Sequence, residues 1–199
     1  MHLGLDFDNT LISYDRLFHD LAAKKLLIPK LIAQNKNAVR DYLRSIDQED
    51  EWTMLQGEVY GQRILEAEPY PGMKNSLTQV AKKIPISIVS HKTKNPFMGK
   101  PWDLHQSARS WLEKQEMHNL RSPLISSDRV FFELTKEEKI SRIVSIGCTH
   151  YVDDLPEILE MLPKSIVRIH FSPNQQVPAS HKWETMRTWD ELINLLKLN

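Results

Sequence analysis

Short apolar runs alternate with amphipathic segments along most of the chain. Apolar residues with turn-forming flanks predict buried strands at about 3–5, 86–89, 129–133, 149–152 and 166–171. Apolar residues at helical spacing predict helices at about 73–83, 104–118, 135–145, 156–162 and 189–197. Strands that alternate with helices pair in parallel through right-handed crossovers. The pattern therefore predicts an α/β fold, a doubly wound, Rossmann-like parallel sheet of about five strands with helices on both faces.

One long segment between the first two strands carries only helical patterns. From about 13 to 67, apolar residues recur at helical spacing in three stretches. These stretches lie near 17–32, 36–46 and 50–66. The segment ends at 68–72, Glu-Pro-Tyr-Pro-Gly, a stiff and turn-rich connector of the type found at domain boundaries. We therefore predict an α/β core of 1–12 and 68–199, with a helical insertion at 13–67.

The composition is that of an ordinary globular protein. The chain has 199 residues, of which 41% are hydrophobic and 26% charged, and this suits one α/β domain with a modest insertion. Basic and acidic residues are equal in number, at 26 each, so no basic excess is available for non-specific nucleic-acid binding. We expect no nucleic-acid partner.

Cysteine content and hydropathy bear on the cellular compartment. The single Cys148 excludes an internal disulfide and a cysteine-built metal cluster, and it fits a reducing compartment. The first residues lead directly into a strand, without the basic and apolar regions of a signal peptide. No apolar stretch approaches the roughly 20 residues that cross a bilayer. We therefore expect a cytoplasmic protein with no membrane partner.

Chemically capable side chains follow three of the predicted strands. Asp6 and Asp8 follow the first strand, Ser90 follows the second, and Asp153 and Asp154 follow the fourth. Because parallel strands present their carboxyl ends at one edge of the sheet, these side chains should converge there. Carboxylates brought together away from water need a neutralising cation. Mg²⁺ is the expected ion, because it takes oxygen ligands from few protein carboxylates.

A lysine is expected at the same edge. Thr135 and Glu138 form a Thr-x-x-Glu capping box, which predicts a helix start directly after the third strand. Lys136 and Lys139 lie three positions apart on one face of this helix, so either could point at the site. The sequence favours Lys139 only slightly.

Loop residues beside these positions are candidate substrate contacts. His91 and Lys92 could bind a substrate anion or a second phosphate, or they could be plain loop residues. Asn9 and Thr10 lie in the loop after the first strand and are further candidates. The alternative for this loop is an Asp-Asn-Thr turn in which both preceding carboxylates are ordinary turn formers.

In order and spacing, these residues resemble the four motifs of the haloacid dehalogenase (HAD) superfamily of aspartate-nucleophile hydrolases. The matching stretches are Asp6-Phe7-Asp8-Asn9-Thr10-Leu11, Val89-Ser90, Lys136 or Lys139, and Tyr151-Val152-Asp153-Asp154. The specific match is the first, Asp-x-Asp-x-Thr after an apolar strand. The fourth motif is a bare Asp-Asp without a preceding glycine, which is an accepted variant.

The resemblance implies a role for each motif. Asp6 would be the nucleophile that forms an aspartyl-phosphate, and Asp8 would protonate the leaving oxygen and then activate the hydrolytic water. Asp6, the backbone carbonyl of Asp8, and Asp153 would hold Mg²⁺. Asp154 would be a further ligand or an orienting group. Ser90 and the lysine would bind the phosphoryl oxygens.

The resemblance also implies a reaction class. Dehalogenases of this superfamily lack an acid/base aspartate at the position of Asp8, whereas phosphatases and phosphomutases keep it. The expectation is a Mg²⁺-dependent phosphomonoesterase that acts on a small phosphorylated metabolite, such as a sugar phosphate or nucleotide. Residues 13–67 would be the small helical cap that closes over the site. The alternatives are a phosphomutase or phosphotransferase, in which a substrate hydroxyl replaces water, and a non-catalytic module that binds a phosphorylated ligand.

Overall fold

The described part of the chain forms two compact units. The computed structural model describes residues 1–117, 124–173 and 182–198. The sheet unit consists of Met1–Ile12, Pro69–Lys92 and Glu116–Asn199, and the helical unit consists of Ser13–Glu68 and Thr93–Gln115.

The secondary structure alternates between strands and helices over most of the sheet unit. The strands are β1 (Leu3–Leu5), β2 (Ile12–Ser13), β3 (Glu68–Pro69), β4 (Ile86–His91), β5 (Val130–Glu133), β6 (His150–Asp153), β7 (Val167–Phe171) and β8 (Glu184–Met186). The α-helices are α1 (Asp15–Lys24), α2 (Lys36–Ser45), α3 (Glu49–Gly57), α4 (Met73–Ala81), α5 (Leu104–Lys114), α6 (Lys136–Ser145), α7 (Pro156–Met161) and α8 (Leu192–Leu195). Within the described ranges, none of the helices has the length and apolar character needed to cross a bilayer.

A six-stranded sheet in the order β5-β4-β1-β6-β7-β8 is the centre of the sheet unit. All five strand pairs are parallel, which confirms the predicted doubly wound α/β fold. The chain fills one side of β1 with β4 and β5, then returns to the other side for β6, β7 and β8. The strand order therefore reverses beside β1, and ligands of such sheets bind at the carboxyl ends of the strands at this reversal.

Close packing on the central strand explains the glycine between Leu3 and Leu5. A Cβ atom at Gly4 would lie 2.6 Å from the Tyr151 ring and 2.8 Å from the sulfur of Cys148. Tyr151 is completely buried, and its hydroxyl donates a hydrogen bond to the Val89 carbonyl. The ring therefore occupies the space that a side chain at Gly4 would need, and it joins β6 to β4 across β1.

The sixth strand was not predicted from the sequence. β8 has three residues, and of these only Met186 is buried. Such a short strand carries no readable alternation, and its pairing with β7 is a long-range feature. The helix predicted at 104–118 ends at Lys114 as α5, and residue 118 lies outside the described residues.

The helical unit contains α1, α2, α3 and α5. The stretch predicted as one helix near 50–66 is divided into α3, a π-helix at Glu58–Gln62 and a 3₁₀ turn at Ile64–Glu66. Residues 93–115, which the sequence analysis assigned to the core, group with these helices. The buried Trp111 of α5 explains this grouping, because its indole N–H donates a 2.8 Å hydrogen bond to the Ala67 carbonyl.

Candidate active site

Four side chains from separate elements meet at the carboxyl end of β1. Asp6 follows β1, is 5% exposed, and its backbone N–H donates to the Val152 carbonyl at 2.9 Å. Ser90 on β4 donates from Oγ to Oδ1 of Asp6 at 2.9 Å. The Nζ atom of Lys139 lies 2.6 Å from Oδ1 of Asp6 and 2.6 Å from Oδ2 of Asp153. The structure therefore brings together the residues that the sequence analysis placed at the ends of β1, β4 and β6.

The capping box of α6 determines which lysine enters the cluster. Thr135 accepts a hydrogen bond from the Glu138 backbone, and the Glu138 side chain accepts one from the Thr135 backbone. The helix thus begins where the sequence predicted. One turn later, Lys139 is 1% exposed, whereas Lys136 pairs with Glu157 at 2.9 Å on the surface. Lys139 is the lysine at the site.

Burial and neighbouring charges shift the pKa values of Lys139 and Asp153. Burial acts to lower the pKa of Lys139, but the Asp6 and Asp153 carboxylates outweigh it and hold the pKa above its usual value. Burial raises the pKa of Asp153 to about 7, with Lys139 acting in the opposite direction and the Asp6 charge in the same direction. Lys139 therefore stays charged, and it is shared between two carboxylates.

Asp8 lies in the turn that follows β1. The turn is tight, because Asn9 has a left-handed φ of 55° and the Leu11 backbone N–H returns to the Phe7 carbonyl at 3.0 Å. The Asp-Asn-Thr turn of the alternative interpretation is therefore present. Asp8 also accepts two hydrogen bonds from Lys92, at 2.9 and 2.8 Å. The Thr10 hydroxyl is buried and has no hydrogen-bond partner within the described residues.

His91 and Lys92, the predicted substrate contacts after Ser90, have different surroundings. His91 is exposed, and its Nε2 donates to the Leu134 carbonyl at 3.1 Å. Lys92 is buried and pairs with Asp8. The sequence analysis missed this pairing, although the spacing contained a signal. Asp6 and Asp8 are two positions apart, as are Ser90 and Lys92, and this equal spacing at the ends of two neighbouring strands was the signal.

Several solved structures share this architecture across nearly the whole chain. A haloacid dehalogenase-like family hydrolase from Streptococcus pneumoniae has 15% identity and a TM-score of 0.66, over 98% of this chain and 97% of that chain. YfnB from Bacillus subtilis, described as a HAD-hydrolase bound to magnesium, has 14% identity and a TM-score of 0.62, over 98% and 97%. A dehalogenase has 13% identity and a TM-score of 0.59, over 100% and 97%. The fold is HAD-like.

At these low identities the similarity establishes the fold, and the chemistry has to come from the residues themselves. No protein-family model matches the sequence, and no curated protein matches it. The relatives of the same HAD-like fold include one described as a hydrolase and one described as a dehalogenase. The reaction class therefore depends on what the side chains at the end of β1 can do.

The donor set at this edge fits the magnesium ion that the HAD-like fold implies. Asp6, Asp153 and Asp154 each offer a carboxylate oxygen, and these oxygens lie within 4.8 Å of one another. Oδ1 of Asp153 accepts a 2.9 Å hydrogen bond from the Leu155 backbone, and His170 donates to the Asp154 carbonyl at 3.2 Å. The first bond orients the Asp153 carboxylate, and the second holds the Asp154 backbone. Oxygen donors of this kind are the ligands that Mg²⁺ prefers.

The charges of the site also fit a divalent cation. The ionisable groups are the carboxylates of Asp6, Asp8, Asp153 and Asp154 and the ammonium groups of Lys92 and Lys139. With all six ionised, four negative and two positive charges leave a net charge of minus two. One Mg²⁺ ion would neutralise this charge, which is otherwise unfavourable beside the buried Asp6 and Asp153.

Proposed function

We propose that the protein is a Mg²⁺-dependent phosphomonoesterase that hydrolyses a small phosphorylated metabolite through an aspartyl-phosphate on Asp6. The observation that carries this proposal is the pair of carboxylates that follows the central strand. Asp6 is enclosed by Ser90, Lys139 and Asp153, while the Asp8 side chain keeps 24% of its surface exposed. One carboxylate is thus held for attack, and the other is accessible for proton transfer.

In the first half-reaction, a carboxylate oxygen of Asp6 attacks phosphorus. An O–P bond forms to Asp6, the bond to the leaving oxygen breaks, and Asp8 transfers a proton to that oxygen. Ser90 and Lys139 both donate to Oδ1 of Asp6. They fix the orientation of the nucleophile and lie where they can donate to the phosphoryl oxygens.

In the second half-reaction, water replaces Asp6 on phosphorus. Asp8, ionised after the first step, removes a proton from the water as its oxygen attacks, and the O–P bond to Asp6 breaks. Inorganic phosphate leaves, Asp6 is restored, and Asp8 is again protonated. A phosphate monoester and one water are thereby converted into an alcohol and inorganic phosphate.

Asp6, Asp153, Asp154 and the backbone carbonyl of Asp8 would hold the magnesium ion. When bound, the ion would offset the negative charge of the phosphoryl group during transfer. Asp8 supports phosphoryl transfer over dehalogenation, because halide departure needs no proton donor at this position whereas an alkoxide leaving group does. Sugar phosphates and nucleotides, whose leaving groups are alkoxides, are the proposed substrates.

Phosphate release from a panel of sugar phosphates, nucleotides and small phosphorylated acids tests the proposal. Wild type should release phosphate with Mg²⁺ and stop with a chelator, and Asp6→Asn should abolish turnover. The matched control is Asp128→Asn, which changes an exposed carboxylate of the sheet unit and should leave activity unchanged. Activity that survives Asp6→Asn would contradict the nucleophile assignment.

Three further readouts distinguish a phosphomonoesterase from the other candidate functions. Halide release from 2-haloacids without phosphate release from any phosphomonoester would contradict phosphatase activity. A phosphorylated Asp6 that persists in water but transfers its phosphoryl group to an added sugar would instead indicate a phosphotransferase. Binding of phosphorylated ligands with neither turnover nor phosphoenzyme would indicate a non-catalytic module.

A further inference from the structure

Lys92 is a buried lysine at the end of β4 that pairs with Asp8. Its side chain is 4% exposed, and Nζ lies 2.9 and 2.8 Å from the two carboxylate oxygens of Asp8. The ammonium group also lies 5.5 Å from the centroid of the Phe7 ring. The Lys92 backbone N–H donates to the Glu133 carbonyl at 2.9 Å. Both the backbone and the charged end of Lys92 are therefore held in place.

Burial makes the pairing between Lys92 and Asp8 hard to exchange for another partner. A buried ammonium group that loses its counter-ion carries a desolvation penalty of several kcal/mol. The two bonds to Asp8 take up two of the three N–H donors of the ammonium group. A role exerted through Asp8 therefore agrees better with the geometry than direct contact with substrate.

We propose that Lys92 is a positioning residue that holds the Asp8 carboxyl group in the orientation required for proton transfer to the leaving oxygen. This inference rests on the proposed phosphatase function. Because both Asp8 oxygens lie within hydrogen-bond distance of Nζ, Lys92 keeps one bond to Asp8 while the other oxygen carries the transferred proton.

The two neighbouring strand ends support this role by their matched arrangement. Ser90 bonds Asp6, and two residues later Lys92 bonds Asp8, which is itself two residues after Asp6. β4 is hydrogen-bonded to β1 in parallel register. The chain thus places one orienting group against each reacting carboxyl group.

A comparison of substrates with different leaving groups distinguishes the positioning of Asp8 from a merely structural role of Lys92. An alkoxide is a poor leaving group and needs its proton during bond cleavage, whereas p-nitrophenolate is stable as an anion. General acid catalysis contributes about 10²- to 10⁴-fold, and a misplaced catalytic group can lose about 10²-fold. Loss of Asp8 positioning should therefore reduce turnover of alkyl phosphates much more than turnover of p-nitrophenyl phosphate.

The experiment measures kcat/KM for p-nitrophenyl phosphate and for the best alkyl phosphate of the panel. We expect Lys92→Met to lose about 10²-fold on the alkyl phosphate and only about two- to threefold on p-nitrophenyl phosphate, which hardly uses the acid. Lys92→Arg keeps a charged donor and should recover most of the loss. The matched control Lys74→Met removes an exposed lysine paired with Glu116 and should change neither value.

A double-mutant cycle tests whether Lys92 acts through Asp8. Asp8→Asn should show the same leaving-group dependence, and adding Lys92→Met to it should cost little more, because residues that act as one unit are not additive. The double variant removes one charge of each sign and so leaves neither partner of the pair as an unpaired charge. It therefore replaces Lys92→Met as the test if that single variant fails to fold. Thermal unfolding monitors the fold of each variant.

Three results would overturn the inference. Equal losses on both substrates, carried mainly by KM, would show that Lys92 binds the phosphate of the substrate. Additive losses in the double variant would show that it does not act through Asp8. Absence of wild-type turnover on every phosphomonoester would overturn the phosphatase function together with this inference, whereas the first two results leave the phosphatase function intact.

Discussion

The Nζ atom of Lys139 lies 2.6 Å from Oδ1 of Asp6, although 133 positions separate the two residues in the sequence. The same ammonium group bonds Asp153, so one buried cation joins the ends of β1 and β6. Charges in such surroundings are tolerated only when they are paired and hydrogen-bonded. Lys139 therefore contributes to the folded state as well as to the proposed chemistry.

Replacement of Lys139 should destabilise the protein strongly. Lys139→Met leaves Asp6 and Asp153 buried without their shared counter-ion, and removal of one partner from a buried ion pair costs about 3–5 kcal/mol. Urea unfolding measures the change. Lys136→Met is the matched control, because its exposed pair with Glu157 should contribute at most about 1 kcal/mol. Equal losses in the two variants would contradict the assignment of Lys139 to the site.

Magnesium should stabilise the folded protein. An ion that binds only the folded state adds about 2.7 kcal/mol at a concentration 100 times its Kd, so the Tm should rise with Mg²⁺. Asp154→Asn removes one of the three carboxylate donors and should shift this rise to higher Mg²⁺ concentrations. Asp128→Asn should behave like wild type. A Tm that is insensitive to Mg²⁺ in the wild type would contradict the metal site.

His2 should make stability depend on pH below neutrality. Burial lowers the pKa of His2 below 6.5. In the neutral ring, Nδ1 donates to the Ile146 carbonyl at 3.0 Å and Nε2 accepts from the Ser87 hydroxyl at 2.9 Å. Between the folded and unfolded pKa values, the unfolded state binds more protons. This contribution to stability is present above pH 6.5 and is lost as the pH falls from 6.5 through the lower pKa of the folded state.

Urea unfolding between pH 5 and pH 8 measures the contribution of His2. His2→Asn should flatten the decline at low pH. The slope that remains then reports other groups, including His150, whose pKa burial also lowers. If His2→Asn keeps the full wild-type slope, the half-buried His2 ring is not the cause.

A methyl group at position 4 should disturb the packing around the central strand. In Gly4→Ala the new Cβ meets the Tyr151 ring at 2.6 Å and the Cys148 sulfur at 2.8 Å. Overpacking of this kind costs about 1–3 kcal/mol, which urea unfolding would detect. Cys148→Ala removes one of the two close contacts, so the double variant should lose less than the sum of the single losses. Strict additivity would contradict this explanation.

The sequence alone was sufficient for the features that depend on neighbouring residues. The apolar runs predicted five of the six strands of the sheet, and the capping box at Thr135 starts its helix where predicted. The alternation of strands and helices predicted the doubly wound sheet, because a parallel pair needs a crossover. That sheet in turn placed Asp6, Ser90 and Asp153 at one edge.

Tertiary structure decided the features that depend on distant residues. Lys136 and Lys139 share one helix face in the sequence, and only the packing of α6 on the sheet turns Lys139 inwards. The pairing of Lys92 with Asp8 depends on the register of β4 against β1, which joins residues 84 positions apart. β8 and the grouping of 93–115 with the helical unit likewise arise from long-range contacts. Hydrophobic periodicity and helix capping depend on interactions between residues close in sequence. Strand register and helix rotation depend instead on burial across the whole core.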